Sequence, residues 1–168
     1  HTAVRRNYAA MIENIDERVE DYLDVLKKRD ELQETIIIFT SDHGEMLGDY
    51  GEWRKRSPHH PSVAIPFVAA GPEIKSQQAS NALVSLHDLY ATLLEFAGVE
   101  YPATVDSQSF IDVLQGRSGS HRDHLRTALG SWDAVFDGRY KLVRGYDPIC
   151  EEKELVLVDT YGDETVDV

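Results

Sequence analysis

The sequence predicts an α/β fold closed by a small antiparallel sheet, and three observations carry that prediction. A long stretch of helical periodicity opens the chain, a short β-branched run that is apolar on both faces follows it, and a cluster of hairpin signals ends it.

In residues 8–26 the apolar Tyr8, Met11, Ile12, Ile15, Val19, Tyr22, Leu23 and Leu26 recur at steps of three and four. That spacing puts them on one buried stripe of an amphipathic helix. After the polar residues 27–34 comes Thr35-Ile36-Ile37-Ile38-Phe39-Thr40, too short for a helix and suited to a buried parallel strand. It runs directly into Ser41-Asp42-His43-Gly44, so polar side chains stand at the strand's carboxyl end, where open α/β sheets place their ligands.

A second strand is expected at 66–70, stopped by Gly71-Pro72, and Leu83-Val84 adds an extended piece. Ser85-Leu86-His87-Asp88 has the form of a capping box and opens a helix whose Leu86, Leu89, Leu93 and Phe96 share a face; Gly98 closes it. A shorter helix around 110–114 ends at Gly116, and the Gly- and Ser-rich residues 116–121 read as a linker. Beyond it lie three β-prone pieces, at 134–136, 139–143 and 154–158. Asp137-Gly138 between the first two is a strong hairpin signal. The chain thus divides into an α/β core over residues 1–118 and a small antiparallel β subdomain over 119–168.

Its 168 residues are enough for one good core. A net charge of −13 argues against nucleic acid and anionic membrane surfaces as general partners, because polyanions are repelled at long range. No run approaches the roughly 20 apolar residues of a membrane-spanning helix. Cys150 is the single cysteine, which excludes an internal disulfide and reads as a small buried apolar side chain. None of this fixes a compartment. Arg54, Lys55 and Arg56 form the densest basic cluster in an otherwise acidic chain, so a small anionic ligand remains compatible with it.

Asp42 and His43 pair a carboxylate with an imidazole at a strand-to-loop turn, where both side chains can reach one divalent cation. On spacing alone, Asp42 as a turn cap and His43 as an ordinary polar loop residue stand equally well.

The run Ser41-Asp42-His43-Gly44-Glu45-Met46-Leu47-Gly48-Asp49-Tyr50-Gly51-Glu52-Trp53-Arg54-Lys55 resembles the signature of the sulfatase family in the alkaline phosphatase superfamily, S-D-H-G-x-x-L-G-x-H-G-x-W-x-K. Residues 8–12 with Ile15-Asp16, then 62–66, 84–94, 139–142 and 154–159, are similar to further blocks of that family in the same order, in the manner of iduronate sulfatases and arylsulfatases. The resemblance implies the C-terminal part of an alkaline-phosphatase-like sandwich. It implies Asp42 and His43 as metal ligands, for Ca2+ first and for Mg2+ or Mn2+ as alternatives, and Lys55 as the group that contacts the sulfate. A metal and a lysine suit that ester, because negative charge builds on the leaving oxygen and on the sulfonyl group as the bond breaks.

In the loop after Lys55, a substrate contact by His60 stands beside the plainer reading of His59 and His60 as exposed loop histidines. Trp53 is read as an anchor of the loop on the core, and His87 as structural.

The sequence departs from the family pattern at Tyr50, where histidine is usual, and at Ala64, where a basic residue is common. It also lacks the C/S-x-P-x-R motif that matures to formylglycine and the N-terminal Asp-Asp pair; Cys150 has neither the Pro nor the Arg. The expectation is therefore that the nucleophile belongs to an N-terminal half of the same enzyme, and that this chain alone does not turn over a small-molecule or sugar sulfate ester. Two other readings stand beside it: a phosphonate monoester or phosphodiester hydrolase of the same superfamily, and a non-catalytic binding module. The uncovered faces of the 35–40 strand also lead one to expect a homo-oligomer.

Overall fold

The computed structural model describes residues 2–147 and 155–161. Helix α1 spans Thr2–Lys28, and its close is set by Asp30, which takes a left-handed conformation (φ 60°) so that the Glu31 N–H reaches Leu26 O at 2.9 Å. None of its residues is fully buried, which corrects the buried stripe expected from the sequence: Met11, Ile12, Ile15 and Tyr22 of that stripe are exposed. No described helix is long and apolar enough to cross a membrane.

Strand β1 (Ile37–Thr40) pairs with β2 (Phe67–Ala70), with Ile37 opposite Ala70 and Thr40 opposite Phe67. The pairing is antiparallel, which corrects the parallel strand expected from the sequence. A parallel partner needs a crossover helix, whereas residues 41–66 form a folded loop with one 3-10 turn at Asp49–Gly51 and the four-residue helix α2 (His60–Val63). The two-sided apolarity of the run says nothing of direction. Phe39 and Val68 stay exposed, so the ribbon is covered on one side only.

Helix α3 is Asp88–Phe96 and α4 is Ile111–Leu114. The capping box is half made: the Asp88 carboxylate accepts the Ser85 N–H at 3.1 Å, but the helix starts at Asp88, with its N-cap at His87 and no side-chain bond there. The expected closure at Gly98 is present, with φ 66° and the Val99 N–H bonded to Leu94 O. Leu83 makes an isolated antiparallel bridge to Arg122.

Four strands follow as an antiparallel meander: β3 (Leu125–Leu129), β4 (Trp132–Phe136), β5 (Tyr140–Arg144) and β6 (Leu155–Asp159). The Asp137-Gly138 hairpin joins β4 to β5, and Asp137 Oδ1 accepts the N–H groups of Arg139 and Tyr140. The sequence reading missed β3. On the inner face Trp132, Ala134, Val143, Val156 and Val158 form the main apolar core, against which Val63 of α2 and Tyr146 pack. Lys141 shares that inner face with Val143 and is only 3% exposed, while Leu142 between them faces outward. The backbone alternation therefore drives a lysine inward, toward the loop of residues 41–60. Cys150 and Glu154 lie outside the described residues.

Candidate functional site

The site begins where β1 ends. His43 Nδ1 lies 2.7 Å from Gly44 O, and since a carbonyl only accepts, Nδ1 is the nitrogen that donates. The ring's other nitrogen, Nε2, is left facing Asp42 Oδ2 at 3.5 Å. Two lone-pair donors brought this close are stabilised by a positive charge between them, whether a proton or a metal ion. Asp42 is largely open to solvent and His43 about one-third so. Among the described residues no third His, Cys, Asp or Glu joins them. The pair fits a divalent cation as part of a ligand set and does not complete one, since Ca2+ takes six to eight oxygens.

Close packing fixes this turn. The Gly44 N–H donates to Ser62 O at 2.8 Å, and a Cβ on Gly44 would stand 1.9 Å from Pro61 O. No side chain fits between the Asp42-His43 turn and α2.

Residues 45–54 then fold back on themselves. Met46 N–H bonds to Arg54 O at 3.0 Å and Gly48 N–H to Glu52 O at 2.8 Å, while Glu45 Oε1 accepts the N–H groups of Leu47 and Arg54. Leu47, Tyr50 and Arg54 carry φ values of 49°, 54° and 74°, a left-handed conformation costing roughly 1–2 kcal/mol at each side-chain-bearing residue. Strain of that kind persists only where surrounding contacts over-determine it. Met46, fully buried, supplies one such contact, and Ser57 Oγ reaches its sulfur at 3.3 Å. From α1, Arg5 adds bonds to Leu47 O at 2.8 Å and to Asp49 Oδ1 at 2.5 Å.

Lys55 sits exposed on this loop, with no hydrogen-bond or ion-pair partner among the described residues. The two loop histidines separate. His60 is exposed, whereas His59 is buried, stacked under Tyr50 at a ring distance of 4.2 Å and edge-on to Tyr146, which corrects the expectation that both are exposed. Tyr50, the departure from the signature, thus serves as the lid of His59. Trp53, read from the sequence as an anchor of the loop on the core, is 39% exposed.

The anchors come from the four-stranded sheet and from Tyr146 just beyond β5. Trp132 Nε1 donates to Arg56 O at 2.8 Å, Lys141 Nζ donates to Pro58 O at 2.9 Å, and Tyr146 OH donates to Glu52 Oε1. Burial first, and then the Glu52 carboxylate, push the Tyr146 phenol well above its ordinary range and keep it a donor. None of the three was singled out from the sequence, since their partners lie 76, 83 and 94 residues away. A cleft of about 360 Å3 opens beside the site, lined by Asp42, His60 and Lys141 over an apolar floor that includes Val63, Phe110 and Ala134. Asp42 and His60 therefore share one cleft; His43 and Lys55 are not among its lining residues.

Comparisons with known proteins converge. The family model named Sulfatase matches residues 1–99. Mouse arylsulfatase K is 35% identical over 119 residues, covering 71% of this chain and 22% of the relative. The N-acetylglucosamine-6-O-sulfatase of Bacteroides thetaiotaomicron is 34% identical over 124 residues, covering 73% and 22% respectively. The chain thus spans about a fifth of the length of these relatives. Among solved structures, a protein in complex with its substrate D-glucosamine-2-N,6-O-disulfate superposes with a TM-score of 0.83 at 27% identity, over 93% of this chain and 34% of that one. The phosphonate monoester hydrolase of Silicibacter pomeroyi shares the fold, with a TM-score of 0.79 at 24% identity over 89% and 33%.

Proposed function

The chain belongs to the sulfatase family, and from that premise we propose that it forms the C-terminal part of a metal-dependent hydrolase of sulfate esters. Asp42 and His43 contribute two ligands to a divalent metal, Ca2+ in the first place, which offsets negative charge on the ester when bound. Lys55 supplies an exposed cation for the sulfate oxygens, and His60 contacts the substrate from the rim of the cleft. The formylglycine nucleophile belongs to sequence outside this chain, so the 168 residues alone are inactive. The single observation that supports this reading is the 3.5 Å approach of His43 Nε2 to Asp42 Oδ2, with the ring oriented by its bond to Gly44 O. An outer hydrogen bond that fixes the donating nitrogen is what a metal-binding imidazole requires.

Calorimetric titration of the chain with CaCl2 and with MnCl2 tests it. Binding is expected to be weak in the wild type and lost in Asp42→Asn. Equal heats from both proteins would remove Asp42 from the ligand set. Aryl sulfate and aryl phosphonate offered to the chain should both remain uncleaved; sulfate hydrolysis abolished by a substitution within residues 1–168 would overturn the assignment of the nucleophile.

A further inference from the structure

The three bonds from the four-stranded sheet and the residue beyond β5 bracket Lys55. Tyr146 holds Glu52, three positions before it, Trp132 holds the carbonyl of Arg56, one position after, and Lys141 holds the carbonyl of Pro58, three positions after. Between these grips the backbone carries a left-handed Arg54, and Lys55 itself stays exposed. The loop is tied on both sides of Lys55, which is exposed at its crest together with Arg54 and Arg56.

We propose that Lys141 is a positioning residue for Lys55, acting through Pro58, with Trp132 and Tyr146 as the other two points of the same clamp. Lys141 is the informative member of the three. Trp132 and Tyr146 belong to or pack on the apolar core and fill volume there whatever their polar atoms do. A lysine on the inner face of β5 has no such reason to be present, because burying an ammonium group costs more than burying a methionine of similar length. Its Nζ ends on the carbonyl of a residue that is itself fully buried. The polar end of Lys141 therefore holds a backbone position in the loop. This clamp assigns the C-terminal sheet a direct part in the chemistry, since the register of β5 sets the height of the loop from which Lys55 projects. The inference rests on the proposed role of Lys55 at sulfate.

Hydrogen exchange and sulfate titration of the whole chain test the two ideas separately. In Lys141→Met, the amides of residues 52–58 should exchange at least about tenfold faster while those of β1 and β2 keep their wild-type rates. Lys141→Arg, which retains a donor, should restore most of the protection. Unchanged exchange in the loop, or a uniform rise across both sheets, would overturn the clamp, and so would a failure of the arginine variant to protect better than the methionine one. Inorganic sulfate added to the wild type should shift the Lys55 amide resonance, with an affinity about fivefold lower in Lys141→Met. If sulfate leaves the Lys55 resonance of the wild type unmoved while the loop still loses protection in Lys141→Met, the clamp stands and the substrate reading falls. Equal sulfate affinity in wild type and Lys141→Met would overturn the positioning role.

Discussion

Asp88 and Arg122, 34 residues apart, meet in a two-point ion pair with Arg122 Nη2 at 2.5 Å from Asp88 Oδ1 and Nε at 2.8 Å from Oδ2. Asp88 is fully buried, and its remaining valences are taken by the N–H groups of Ser85 and Gln108, with His121 Nε2 at 3.3 Å. Arg122 also donates to Asp106 O, so one guanidinium ties the start of α3 to the chain entering β3. Arg122→Leu leaves a buried carboxylate without its partner and should cost about 3–5 kcal/mol. Urea unfolding followed by circular dichroism checks this, and a midpoint within error of wild type would contradict it.

The same pair sets an acid limit. Burial by itself would push the Asp88 carboxyl up, but the Arg122 guanidinium and the Gln108 and Ser85 amides outweigh it and hold the group at about 2, against 3.8 ordinarily. A folded-state value below the unfolded one gives stability that is complete above about pH 4 and drains away as pH falls toward 2. The shift corresponds to about 2 kcal/mol. Urea midpoints between pH 5 and 2 should therefore fall less steeply in Asp88→Asn than in wild type, after correction for its lower starting stability.

Gly44→Ala tests the turn that sets Asp42 against His43. The new methyl collides with the Pro61 carbonyl, so either α2 moves or the turn does. A loss of about 2–4 kcal/mol is expected, together with displacement of the His43 ring resonances. A variant with wild-type stability and unshifted His43 signals would show that the close approach is not maintained in solution.

Trp132→Phe keeps an aromatic ring in the core but deletes the bond to Arg56 O and part of the buried indole's volume. About 2–4 kcal/mol should be lost, from the carbonyl left without that donor and from the space left in the core. Thermal unfolding measures it, and an unchanged midpoint would mean that water replaces the indole without cost.

Much of this architecture is written locally. The stripe of α1, the β-branched run ending at Asp42, the Asp137-Gly138 hairpin and the Gly98 closure all depend on neighbours within a few residues, and each lies where the sequence reading put it. Strand β3 escaped notice because Leu-Arg-Thr-Ala-Leu alternates weakly, although Gly130 (φ 62°) at its end marks the turn into β4. The direction of β1 escaped for a different reason: pairing sense depends on how the intervening loop folds. Asp42, His43 and Lys55 were legible only as members of a contiguous signature. Trp132, Lys141 and Tyr146 belong to no local pattern, and in Lys141 the alternation even misleads, since a lysine between two strand residues reads as solvent-facing. Contacts across some eighty residues are decided by tertiary packing, which leaves no periodicity behind.

Helix α1 is the one long element with no buried side chain, and that separates its thermodynamics from the rest of the chain. What holds it is its own backbone ladder, the half-buried Val19, Leu23 and Leu26, the spaced pairs Arg18–Asp21 and Lys27–Asp24, and the reach of Arg5 to the loop. Pairs of that kind contribute a few tenths of a kcal/mol each, so most of the 27 residues sit near the helix–coil balance of a free peptide. Calorimetry of the chain would then record a broad, shallow heat absorption from the helix well below the sharp transition of the four-stranded sheet. The two would merge into one cooperative event only when something lies along Met11, Ile12, Ile15 and Tyr22. The melting profile of α1 is in that sense a built-in gauge of whether its apolar stripe is covered.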